Sequence, residues 1–95
     1  MEIELDKSNI KVVINENLTY AAHREATDFA YYETKKGKIF EIAYLEKLVE
    51  LASGLARAKI DSLHFKDGKL LNDTVLAMYK TDGINAVESK DKKQK

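Results

Sequence analysis

The stretch Ile39–Ile60, IFEIAYLEKLVELASGLARAKI, runs for 22 residues without a proline. Ile42, Leu45, Val49, Ala52 and Ala56 recur every three or four residues, and Leu48, Leu51 and Leu55 make a second row beside them. That spacing is helical, because residues three and four apart share one face of an α-helix. An apolar arc this wide predicts a central helix over residues 39–60, about 33 Å long if unbroken. Such a helix needs cover on two sides, and the flanking segments have to supply it. The first row is expected in the core; the second row is where core and interface readings part.

Before the central stretch, residues 2–14 alternate: Ile3 and Leu5, then Ile10, Val12 and Ile14, with Glu4 and Lys11 in the off positions. Asp6-Lys7-Ser8-Asn9 between them is turn-prone, so residues 2–14 read as a β-hairpin with one buried face. Two strands alone are marginal in water, and the hairpin is expected to pack on a helix or pair with another copy. A helix over 19–34 follows, its first turn within reach of the Thr19 hydroxyl as a cap. Tyr20, His23, Arg24, Thr27 and Tyr31 share one face of it, and Ala22, Ala26, Phe29 and Ala30 share another. The alanine-rich face permits close approach to the central helix. Gly37, in Thr34-Lys35-Lys36-Gly37-Lys38, breaks the pattern and predicts a short connection between antiparallel helices.

After Ile60, Lys66-Asp67-Gly68-Lys69 predicts a turn at 66–69, Gly68 being free to take a positive φ. Asn72 or Asp73 can cap a helix over 73–80, and a last short helix over 82–88 would carry Ile84 and Val87. The final residues 89–95, SKDKKQK, read as a disordered charged tail. The fold class expected is therefore α+β and mainly helical: one small domain over 1–88, an amino-terminal β-hairpin on a long central helix with three or so shorter helices.

Composition narrows the function classes. A chain of 95 residues suits one domain with a modest core, which oligomerisation would help. Charged residues interrupt every apolar run before it could span a membrane. The amino terminus has acids where a secretory signal carries bases, which predicts a cytoplasmic protein. With no cysteine in the sequence, disulfides and thiolate chemistry are excluded. Sixteen bases balance sixteen acids, which argues against a general nucleic-acid binder. The balance is uneven along the chain: residues 1–34 hold seven acids and three bases, and the remainder is correspondingly basic. Opposite-sign ends could favour contacts between copies, although a locally compensated surface explains the same pattern.

No residue set spells out a reaction. His23 and His64 lack a second histidine or cysteine at ligand spacing, so no metal site is expected. Ser53, His64 and Asp67 are the residue types of a hydrolytic triad, but Ser53 falls mid-helix with no device to expose its hydroxyl. The isolated Gly37 and Gly68 make no phosphate loop, and neither a cofactor nor a small-molecule substrate is expected. Tyr31, Tyr32, Lys35, Lys36 and Lys38 mix rings with bases as single-strand binders do. A helix end whose lysines complement the dipole explains them as well. The surface predicted to meet a protein partner is Tyr20, Phe29, Tyr31, Leu48, Leu51 and Leu55, large apolar groups that one small core does not fully enclose.

The order of parts carries one resemblance. A hairpin, then NENLTYAAHREATDFAYYE, then a long helix ending in LARAKIDSLHFKDGKLLNDTVLAMYKTDGINAV, resembles the tail assembly chaperones of long-tailed phages and prophages. The likeness covers the layout from Ile10 to Val87, with Leu18-Thr19-Tyr20 opening a helix and Asp67-Gly68-Lys69-Leu70 after the long one. It corresponds to the short, non-frameshifted form. The resemblance implies a non-enzymatic role in virion morphogenesis in the host bacterial cytoplasm: copies coat the tape measure protein and recruit tail tube subunits, with self-association. It implies too a slippery adenine-rich run near the Lys92-Lys93 codons. The competing readings are a small phage-encoded inhibitor of a host or defence protein and, third, a minor nucleic-acid-binding module.

Overall fold

Alternation in the first fourteen residues produces the hairpin it predicts. The computed structural model describes residues 1–79, in which β1 (Glu2–Leu5) pairs antiparallel with β2 (Ile10–Val13). Ile3 lies opposite Val12 and Leu5 opposite Ile10, so the apolar side chains share one face and Glu2, Glu4, Lys11 and Val13 take the other. Asn9, at φ 58°, turns the chain back; its short polar side chain tolerates this left-handed conformation.

Four helices follow: α1 (Tyr20–Thr34), α2 (Phe40–Ser53), α3 (Arg57–Asp61) and α4 (Phe65–Tyr79). The fold is α+β, an amino-terminal two-stranded hairpin packed on helices. Leu5, Val12 and Ile14 from the hairpin segment meet Ala26 of α1, Leu48, Val49 and Ala52 of α2, and Leu71 and Val75 of α4. Polar bonds fix the connection between sheet and helices. The Asn15 N–H donates to the Ala52 carbonyl at 2.8 Å, and the Tyr79 hydroxyl donates to the Asn15 carbonyl while accepting the Leu18 N–H.

The central helix is shorter than its sequence predicts. α2 ends at Ser53 because Gly54 takes the left-handed conformation, φ 75°, and its N–H caps the Glu50 carbonyl. Lacking a Cβ, glycine enters this region at little cost, so it stops a helix that the apolar pattern would continue. The rest of the 39–60 stretch turns away as α3, held by Arg57, whose guanidinium donates to the Glu46 carbonyl at 2.8 Å and pairs with Glu50 at 3.3 Å. The predicted core row is correspondingly cut. Val49 and Ala52 are buried, but Ile42 is 53% exposed and Ala56 stands outside α2 as the residue before α3.

The turn predicted at 66–69 is not a turn. These residues form the first turns of α4, which also contains the expected 73–80 helix as far as Tyr79. Two signals outweighed Gly68. Asp67, Leu71 and Val75 repeat every four residues and are all buried, and the Asp67 carboxylate near the helix start complements the unpaired amides there. His64 caps this helix, its Nδ1 accepting the Lys66 N–H at 3.1 Å, in place of Asn72 or Asp73. At the other predicted cap, Thr19 occupies the position before α1 but its hydroxyl makes no capping bond. The predicted helix at 82–88 and tail at 89–95 lie outside the described residues.

Candidate partner-binding surface

α1 and α2 form a helical hairpin joined by residues 35–39. Alanine allows their close approach: Ala26 and Ala30 on α1 and Ala43 on α2 are fully buried, and small side chains shorten the distance between axes. With the centre filled by methyl groups, the large side chains are pushed to two flanks.

One flank is aromatic. Tyr20, His23, Thr27 and Tyr31 line up on α1 by three- and four-residue steps, and Phe40 and Tyr44 do the same on α2. Their rings run in sequence. Tyr31 meets Phe40 edge-on at 4.9 Å between centroids, Phe40 stacks with Tyr44 at 6.4 Å, Tyr44 meets His23 edge-on at 5.6 Å, and His23 tilts against Tyr20 at 5.4 Å. These separations are those of favourable aromatic pairs. A hydrogen bond of 2.8 Å between His23 Nδ1 and the Tyr44 hydroxyl ties the two helices across the strip. Burial raises the Tyr44 pKa above the usual 10.0, since removing water disfavours the phenolate. The strip's ends stay open, with Tyr20 73% and Tyr31 62% exposed.

The other flank is ionic. Lys47 reaches Glu25 on α1 at 3.8 Å and Glu50 at 3.6 Å, with its ammonium 5.3 Å from the Phe29 ring centre. Arg57 extends the row to Glu50 and Asp61, and at the connecting loop Lys38 lies between Glu33 and Glu46. Hydrogen bonding and attraction from Glu46 raise the Lys38 pKa. Charges on this flank meet partners in the same chain. Lys36 is occupied as well, over the Tyr32 ring at 4.5 Å and beside Glu33 at 3.4 Å.

The six residues predicted for partner contact do not gather on one surface. Tyr20 and Tyr31 fall on the aromatic strip. Phe29 is half-buried on the ionic flank beneath Lys47. Leu48 is 4% exposed and belongs to the core, because the hairpin and α4 cover its side of α2. Leu51 and Leu55 are half-buried, and Leu55 packs against the core from beyond the Gly54 break. The strip's remaining members, His23, Phe40 and Tyr44, were not predicted. Their signal was available in the matching three- and four-residue spacing of rings on two helices joined by a short loop, but only the pairing of the helices makes it one surface.

Other chemistry-bearing residues have structural roles. The Ser8 Oγ accepts the His64 N–H at 3.0 Å, and the Ser8 N–H donates to the buried Asp67 carboxylate. These bonds pin the hairpin turn to the start of α4. Ser53, the serine grouped with His64 and Asp67 by residue type, instead accepts the Leu55 N–H beside the Gly54 break. Among the described residues no group of three or more histidine or carboxylate side chains could hold a metal ion, and no helix is long and apolar enough to cross a membrane. Two surface hollows, of about 240 and 590 Å³, are lined by the hairpin turn and by Met1, Glu16 and the end of α4; neither includes a ring of the strip. No family model, curated protein or solved structure matches this chain.

Proposed function

We propose that this chain is a non-enzymatic tail assembly chaperone of a long-tailed phage or prophage, acting in the host bacterial cytoplasm on the tape measure protein and recruiting tail tube subunits to it. The observation that carries the reading is the aromatic strip. Rings from two helices lie in line along about 16 Å of α1 and about 6 Å of α2, open at both ends and lining neither of the two surface hollows described above. Such a surface suits the apolar stripe of another helix better than a small molecule. Many weak contacts of this kind become effective when copies line one long helical partner. Lys36 and Lys38 near the loop are engaged by Glu33, Glu46 and Tyr32, which favours a protein partner over a nucleic acid.

The test is co-expression with the tape measure gene beside this one. The expected result is a soluble tape measure protein that co-purifies with the chain, and loss of both effects when Tyr20→Ser and Tyr31→Ser are combined. These positions are exposed, so the variant should keep its helical circular dichroism. A tape measure protein that stays insoluble beside the folded chain defeats the proposal, as does a gene neighbourhood with no tail genes.

A further inference from the structure

α3 differs from the other helices in how little of it is covered. α1 hides Ala26 and Ala30, α2 hides Val49 and Ala52, and α4 hides Leu71 and Val75, but α3 hides no residue. α1 packs along α2, and α2 along α4, whereas α3 shares no extensive contact with any element among the described residues. From residue 54 to 64 no side chain is buried; Leu55, Ile60 and Leu63 rest half-covered against the core. A five-residue helix is too short to be stable by itself, and a segment with so few buried apolar groups opens at a lower free energy than the elements around it.

The polar bonds that tie this segment to the rest of the chain lie towards its ends. Near one end the Arg57 guanidinium donates to the Glu46 carbonyl at 2.8 Å and pairs with Glu50 at 3.3 Å. At the other the His64 N–H donates to the Ser8 Oγ at 3.0 Å. Between them the backbone bonds stay inside the segment, as from the Ile60 N–H to the Ala56 carbonyl and from the Leu63 N–H to the Ile60 carbonyl. Gly54, where the segment leaves α2, has room to change conformation: at φ 75° it has no atom within 4 Å of the position a Cβ would take. The apolar repeat also runs through it. Leu55 continues the row of Leu48 and Leu51, and Ala56 that of Val49 and Ala52, so a helical Gly54 extends α2 along the pattern already present.

We infer that residues 55–63 form a strap that opens locally, hinged at Gly54 and latched by Arg57, while the hairpin, α1, α2 and α4 stay folded. Opening lifts Leu55, Ile60 and Leu63 off the core and bares the apolar surface beneath them. The chain thus holds two kinds of apolar surface: the aromatic strip, which is always accessible, and the surface under the strap, which is accessible only while Arg57 is released. The latch is weak by construction, since one partly exposed guanidinium supplies it. The device needs no partner and stands apart from the chaperone reading; a chain that fails to solubilise the tape measure protein still has a strap to measure.

The experiment is native-state amide exchange followed by nuclear magnetic resonance at several low urea concentrations. The amides of Ile60, Ser62 and Leu63 are expected to open about 100-fold more often than those of Val49, Ala52, Leu71 and Val75. Their exchange should depend little on urea, because a local opening exposes little surface. Arg57→Met keeps the apolar stem and removes the latch bonds; it is expected to raise strap opening about fivefold. Gly54→Ala disfavours the left-handed conformation and is expected to raise it about tenfold. In both variants the α2 and α4 amides should exchange as in the wild type, which also shows that the variant is folded. Strap amides as slow as those of α2, or equally dependent on urea, overturn the inference. So does an Arg57→Met chain that exchanges as the wild type does, and so does a variant that accelerates every amide alike, since the strap would then open only with the whole fold.

Discussion

The two flanks of the α1/α2 hairpin are built from the same two helices and a shared line of alanines, yet they end in opposite states. On the ionic flank Lys47, Glu25, Glu50, Arg57 and Asp61 neutralise one another within the chain. That flank is closed: its polar groups gain little from a further partner, since exposed ion pairs are each worth under about 1 kcal/mol and are readily replaced by water. The aromatic flank shields its rings only from one side and leaves Tyr20 and Tyr31 exposed at its ends. It is open. The difference teaches that a small helical hairpin can gather its charge pairs on one side and leave rings accessible on the other, by sorting charges and rings to opposite sides of one apolar line.

The largest expected effect comes from forcing the flanks apart at that line. Ala26→Leu puts three extra carbons into a fully buried position between the helices, and overpacking of this kind should cost about 2 to 3 kcal/mol by urea unfolding. Both flanks should loosen together, lowering the near-ultraviolet tyrosine dichroism; a variant as stable as wild type would mean that the helices are not held at alanine distance.

Next is Phe40→Ala, which removes the ring that links Tyr31 to Tyr44. Phe40 is half-buried, so the loss should be about 1 to 2 kcal/mol, from apolar area and ring contacts combined. Lys47→Met, the matched change on the ionic flank, keeps the packed stem over Phe29 and removes the charge. Its expected cost is about 0.5 kcal/mol or less. Equal losses for the two variants would erase the distinction drawn between the flanks.

The smallest effect is on pH dependence. Lys38 and Tyr44 have folded pKa values raised above their usual 10.5 and 10.0. Each raised value means that the folded chain holds its proton after the unfolded chain has released it, so stability is unaffected below about pH 10 and falls as the pH rises beyond it. Lys38 is exposed, and its share should vanish in high salt. Tyr44→Phe should remove the salt-insensitive part and one late-titrating phenol from the ultraviolet titration; an unchanged titration would show that Tyr44 is not shielded.

Sequence and tertiary structure divided the determination of this protein along a physical line. Local patterns carried the secondary structure: alternation placed the hairpin, three- and four-residue repeats placed α1 and the body of α2, and their short loop made them neighbours. Glycine was ambiguous in both directions. Gly54 ended α2 and Gly68 stayed inside α4, because the conformation of a glycine is chosen by what surrounds it: a capped carbonyl and a retained Arg57 in one case, a buried Asp67-Leu71-Val75 row in the other. Burial was legible only in part, since Leu48 and Ile42 have equal apolar character and differ in whether the hairpin and α4 reach their side of α2. The surface depended most on the third dimension. Tyr20, His23, Tyr31, Phe40 and Tyr44 are spread over 25 residues of sequence, and only the antiparallel packing of α1 on α2 sets their rings in one line.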